Sequence, residues 1–298
     1  MYFIFDMDET LANTNTISYY IATLFLQETL SNKGILEFLR CRKIKIPNSL
    51  IKSLNCSYKN FVDGIIKYES TNKPLGILRP GILEVMRKLY KLQKEGKIKY
   101  VVIYSNNRQI GCVKFIRDLI HSYLGTKDLI KDCIHVYNKL RILDIGNKSW
   151  DEIKHILING KCKAPKNIDQ NKVYFFDNYN YVDFYNNISN FYNVPSYNYN
   201  ASFDRVSNIY RQSICNVNND LYIKYMKHLL GEKNTNNRPI TNIEDIIEIF
   251  KSRSNITSNI SEGSDNKIDY GINMMHDAIN DVRKKSKNNT RKKLKSVY

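Results

Sequence analysis

Three short apolar runs stand out, at residues 2–5 (YFIF), 99–104 (KYVVIY) and 172–176 (KVYFF). Each is four to six residues long and each ends abruptly in polar residues. Runs of this kind read as fully buried strands of a parallel sheet. Between them, apolar residues recur at helical spacing. Ile17, Ile21, Leu24 and Phe25 do so after the first run, followed by Leu36, Leu39, Phe61, Ile65 and Ile66. Pro47 and the polar residues at 55–57 divide this stretch into several short helices. Arg79-Pro80-Gly81 forms a turn into a helix through Val85, Leu89 and Leu92 that stops near Gly96. A helix through Val113, Ile116 and Ile120, a strand near residues 133–137, and a helix over 149–157 entered just after Lys148 complete the alternation. The expected fold is α/β, a Rossmann-like parallel sheet with helices on both faces.

The remaining pattern sets the domain plan. Residues 1–15 and 72–200 form the core, and 16–71 form an inserted helical cap. Residues 201–260 form a helical and irregular extension with helices at 221–230 and 243–250, the second begun by Pro239 and Thr241. Residues 179–219 are rich in Asn and Tyr and weakly periodic, which predicts long loops. Residues 283–295 (RKKSKNNTRKKLK) are basic and poor in apolar residues, so the tail from 261 is expected to be disordered.

Composition changes this picture little. The net charge of +17 points to a polyanionic partner, but the abundance of Asn, Lys, Ile and Tyr is the bias of an A+T-rich coding sequence. Only the basic tail is retained as a weak nucleic-acid contact. No run is long and apolar enough to span a bilayer, and no signal peptide is evident, so the chain is expected to be intracellular, cytoplasmic or nuclear, and not secreted. The six cysteines and five histidines are scattered, which argues against a disulfide framework or a zinc site.

The chemistry lies at the strand ends. Asp6, Asp8 and Thr10 follow the first run, Ser105 and Asn106 the second, and Asp177 and Asn178 the third. In an open α/β sheet, ligands bind at the carboxyl ends of the strands. A carboxylate there can attack phosphorus and form an acyl phosphate. Two anions must then approach each other, so a hard divalent cation with oxygen ligands is required. Asp6, with Asp177 or Asn178 and a carbonyl near Asp8, could hold magnesium. Asp8 could move the proton. Ser105 could hold phosphoryl oxygens, and Lys148 could offset transition-state charge, with Lys139 and Lys154 as competitors.

This order of motifs resembles the haloacid dehalogenase superfamily of phosphohydrolases over residues 1–178. The resemblance implies that Asp6 is the nucleophile and Asp8 the acid/base. It implies that Thr10, Ser105, Asn106 and Lys148 contact phosphate, and that Asp6, Asp8, Asp177 and Asn178 form the magnesium site. Asp6-Met7-Asp8-Glu9-Thr10-Leu11, Arg79-Pro80-Gly81 and Asp177-Asn178 further resemble the branch of phosphatases acting on the carboxy-terminal domain of RNA polymerase II. That branch usually has Ser and Pro after the second motif pair, where this chain has Tyr179 and Asn180. The branch implies a phosphoprotein substrate, whereas the cap favours a nucleotide or small phosphomonoester. A scaffold with a vestigial site is the reading from another class. Phe175, Phe176, Tyr179 and Tyr181 are expected to pack in core and loops rather than stack on bases, and Asp183, a candidate second acid, is expected to lie in a surface loop.

Overall fold

The computed structural model describes residues 1–25, 45–71, 74–143, 147–214, 216–233, 237–253 and 265–295. Among these residues five strands form one all-parallel sheet: β1 (Tyr2–Phe5), β2 (Tyr100–Tyr104), β3 (Ile130–Ile134), β4 (Val173–Asp177) and β5 (Phe191–Asn193), in the order β3-β2-β1-β4-β5. The three apolar runs are the three central strands. Their side chains alternate between two cores, as a pleated strand requires. Phe3, Phe5, Val101, Ile103, Tyr174 and Phe176 face one core. Tyr2, Ile4, Val102, Tyr104, Val173 and Phe175 face the other.

The first face is covered by α1 (Ser18–Leu24), α2 (Asn48–Glu69), α3 (Ile82–Lys94) and α4 (Ile110–Leu124), all contributing to one continuous core. The second is covered by α5 (Trp150–Asn159) and the short α6 (Val182–Asn187). The described part of the 16–71 insert shares the first core with the sheet. Its α2 packs on α4 and on α7 (Phe203–Ile214). Gly64 makes the second contact possible, since a Cβ there would stand 2.6 Å from Ile209 Cγ2. The insert's Leu36 and Leu39 lie outside the described residues.

Several expectations need correction. The third strand is at 130–134, not 133–137, because Asn138 folds back to donate to the Cys133 carbonyl and His135 Nδ1 accepts from the Tyr137 N–H. The stretch at 179–219 holds α6, β5 and α7 rather than long loops. Two serines, Ser207 and Ser213, sit on the buried face of α7 and mask its periodicity. The helices α8 (Asn219–Leu230) and α9 (Ile243–Arg253) lie where the spacing places them. Disorder from residue 261 does not hold for 270–286. These residues belong to α10 (Asp265–Lys295), whose Ile272, Met275, Ile279 and Val282 form a buried stripe packed along α3. Tyr174 donates to Asp281 at 2.6 Å and ties the helix to β4. The high charge of its outer face hides a stripe of only four large apolar residues. Among the described residues no helix is long and apolar enough to cross a membrane, and Cys56, Cys112, Cys133 and Cys162 are free thiols.

A buried carboxyl closes the return from the insert to the core. Glu69, at the end of α2, accepts the Ile77 N–H at 2.8 Å. Burial pushes its pKa from 4.5 up to about 7, partly offset by the N–H groups at 76–78. The folded value lies above the unfolded one, so this group's contribution is complete below pH 4.5 and is lost as pH rises through 7. Glu69→Gln keeps an acceptor and removes the titration. Relative to the wild type, the variant should gain about 3 kcal/mol between pH 4.5 and pH 8, from 1.36 kcal/mol per unit. Urea unfolding at both pH values measures this, and a gap between the proteins that does not change with pH would refute it.

Candidate active site

Register brings the first two acids together. Phe5 pairs with Ile103 on one side and with Phe176 on the other, so Asp6 stands beside Asp177 at the carboxyl edge. The Asp6 N–H donates to the Phe176 carbonyl at 2.8 Å and extends the pairing by one step. Continuing the alternation, Asp6 follows Tyr2 and Ile4, and Asp177 follows Val173 and Phe175, onto the face that carries α5. The residue two before α5 is Lys148. Its Nζ lies 2.5 Å from Asp6 Oδ1 and 2.7 Å from Asp177 Oδ2, in a setting almost closed to solvent. Lys139 is exposed, and Lys154 pairs with Asp151 along the helix surface at 2.5 Å. Neither enters this site.

The electrostatics follow from burial. Removal from water pushes Asp6 up to about 8; Lys148 opposes this, while Asp177 and Asp8 reinforce it. Burial alone would lower Lys148, but Asp6 and Asp177 hold it above its ordinary value and therefore cationic. Asp8 is half-buried. Its carboxylate accepts from Ser105 Oγ at 3.1 Å and from Asn107 Nδ2 at 2.9 Å. Burial raises its pKa, and these two hydrogen bonds limit the rise.

Asp6, Asp8, Asn106, Lys148, Asp177 and Asn178 line one cavity of about 410 Å³. Thr10 and Ser105 do not. Both are fully buried, and their hydroxyls turn to Asn178 Oδ1 and to Asp8. In this arrangement they brace the site rather than face it. No described residue of 16–71 lines the cavity.

Several contributors escaped the sequence reading. Arg79, 1% exposed, donates to the carbonyls of Glu9 (2.7 Å) and Pro195, and so clamps the loop after Asp8, where Glu9 has φ +57°. Gly271 of α10 is what lets that helix reach the guanidinium, since a Cβ there would meet Arg79 Nη1. Arg141 donates to Asn106 Oδ1 at 3.0 Å, to the Asn147 carbonyl at 2.8 Å and to the buried Glu152 at 2.9 Å. Asp183 is not a free loop acid: it accepts the Trp150 N–H at 2.6 Å and pins the start of α5 next to Lys148. Only Arg79 carried a signal, as part of Arg79-Pro80-Gly81. The other partners are distant in sequence and carry none.

A divalent cation fits the donor set in charge and in kind. Three carboxylates (Asp6, Asp8, Asp177) face one ammonium, leaving two negative charges in a poorly solvated site, and the donors are all oxygen. Asp8 is turned to Ser105 and Asn107, and among the described residues no three His, Cys, Asp or Glu side chains gather as a metal cluster. Asp6, Asp8, Asp177 and Asn178, the four residues expected at the metal site, all line the cavity.

The family model of haloacid dehalogenase-like hydrolases matches residues 3–124, from β1 to the end of α4. No curated protein and no solved structure matches the chain significantly. Over residues 3–124 the chain is similar to haloacid dehalogenase-like hydrolases, and the parallel sheet with carboxylates at the ends of its central strands agrees with that similarity.

Proposed function

We propose that the chain hydrolyses phosphomonoesters through an acyl phosphate on Asp6, with magnesium as cofactor. The carrying observation is the buried Asp6–Lys148–Asp177 cluster with Asp8 beside it, in which three ionised carboxylates against one ammonium leave two negative charges, the charge of one divalent cation. Held by oxygens of Asp6, Asp177 and Asn178, magnesium would withdraw negative charge from a phosphoryl group. Asp6 attacks phosphorus as the bond to the leaving oxygen breaks, and Asp8 gives that oxygen its proton. Asp8 then takes a proton from the water that attacks the acyl phosphate, releasing inorganic phosphate and restoring Asp6. Lys148 keeps its charge throughout and orients Asp6. Asn106, held by Arg141, stands at the cavity wall to receive a phosphoryl oxygen. A phosphorylated protein side chain is the favoured substrate on the motif resemblance, with a nucleotide or small phosphomonoester as the alternative.

The test uses the purified full chain and an aryl phosphate. Turnover is expected with magnesium and is lost on chelation. Asp8→Asn should release about one equivalent of phenolate and then stall, because the aryl leaving group needs no proton but the second step needs a base. Its steady rate should fall by roughly 10²- to 10⁴-fold. A wild type without turnover, or turnover indifferent to chelation, refutes the mechanism. A panel in which nucleotides outperform phosphopeptides overturns the substrate preference alone.

A further inference from the structure

Directly after Asp177-Asn178 the chain carries an aromatic pair, of which Tyr181 packs against the second core and Tyr179 does not. Phe175 and Phe176 are fully buried, as expected of strand residues, but Tyr179 is 65% exposed. Tyr179 and Tyr181 both line the same cavity as Asp6 and Lys148. Their rings lie 4.9 Å apart at 59°. The pair is held in place by its backbone and by Tyr181. The Tyr179 N–H donates to Asp177 Oδ1 at 2.8 Å, which ties this residue to the carboxylate that also holds Lys148. Tyr181 packs edge-on to Phe184 at 5.3 Å, accepts from Asn106 Nδ2 at 3.3 Å, and has Lys148 Nζ 5.7 Å from its ring centre.

An exposed ring anchored at one end and open at the other leaves apolar surface in water beside a site for charge. We infer that Tyr179 and Tyr181 form an aromatic shelf that takes the planar group of the substrate while its phosphate sits among Asp6, Asn106 and Lys148. The preferred substrate class is then a phosphomonoester bearing an aromatic ring. This inference rests on the phosphate reading of the same cavity and adds its selectivity. A stacked or edge-on ring pair accounts for about tenfold in affinity.

Binding of unreactive phosphonates separates the two levels. Titration calorimetry with magnesium present compares phenylphosphonate with methylphosphonate on the full chain. The wild type should bind phenylphosphonate about tenfold more tightly. Tyr179→Ala should bring the ratio close to one, and Tyr179→Phe should restore it. No preference in the wild type, or a preference that survives Tyr179→Ala, overturns the shelf while leaving the phosphate site standing. Failure of both phosphonates to bind overturns the phosphate site and the shelf with it. Displacement of phenylphosphonate by a phosphotyrosine peptide or by a nucleoside monophosphate then distinguishes a phenol from a base. The effective competitor must lose its advantage in Tyr179→Ala, and a competitor indifferent to that substitution counts against the shelf.

Discussion

Asp6→Asn should reduce turnover of any phosphomonoester by at least about 10⁴-fold, because an amide cannot form the acyl phosphate on which the mechanism depends. The substitution is nearly isosteric, and its amide oxygen can still accept from Lys148, now 2.5 Å from Asp6 Oδ1. Folding should survive, since a carboxylate whose pKa burial raises to about 8 is itself costly to keep ionised. A folded pKa above the unfolded one means that this group's contribution is full at low pH and is lost as pH rises through about 8. Asn carries no such loss, so the variant should match or exceed wild-type stability at pH 8. Steady-state rates together with thermal unfolding measure both halves. Retention of more than a small percentage of wild-type turnover by a folded Asp6→Asn protein would remove Asp6 from the role of nucleophile.

Lys148→Met should damage both chemistry and stability. The ammonium is the positive group that Asp6 and Asp177 share, at 2.5 and 2.7 Å. Methionine fills a similar volume without the charge, leaving two buried carboxylates facing each other. Breaking a buried pair in this way costs about 3–5 kcal/mol. Loss of the charge that orients Asp6 and offsets the phosphoryl oxygens should lower turnover by roughly 10³-fold. Protonation relieves the repulsion, so the stability deficit should be largest near pH 8 and shrink toward pH 5. Saturating magnesium should recover part of it at pH 8 by standing in for the missing charge. Urea unfolding at the two pH values, with and without magnesium, measures all of this. A Lys148→Met protein as stable as the wild type under every condition would show that Lys148 does not hold the two carboxylates together.

Much of the catalytic layout was legible in advance because it depends on short-range rules. Runs such as YFIF and KVYFF have too few polar atoms to lie anywhere but between two layers, and parallel strands present their carboxyl ends on one edge. That is enough to group Asp6, Ser105 and Asp177. Strand parity even assigns Asp6 and Asp177 to the face on which Lys148 enters. The misses have physical causes. The stripe of α10 was hidden by the charge of its exposed side, and α7 by serines on its buried side. Thr10 and Ser105 lie beside the cavity without lining it, their hydroxyls turned to Asn178 and Asp8.

What the order of residues decided, then, is the α/β sheet, its central strands and the acids at their ends, since each follows from local patterning within a few positions. Tertiary structure decided which lysine enters the site, which carboxylates share it, and how the surrounding loops are braced. Lys148, and not Lys139 or Lys154, meets Asp6 and Asp177, at a helix start that Asp183 pins. Arg79 matters because Glu9 and Pro195 bring it two carbonyls from opposite ends of the core. Tyr179 looked like one packing tyrosine among 22 until its neighbours were placed. Each of these depends on groups far apart in the chain, and no periodicity records which distant partner will desolvate a charge or leave a ring in water.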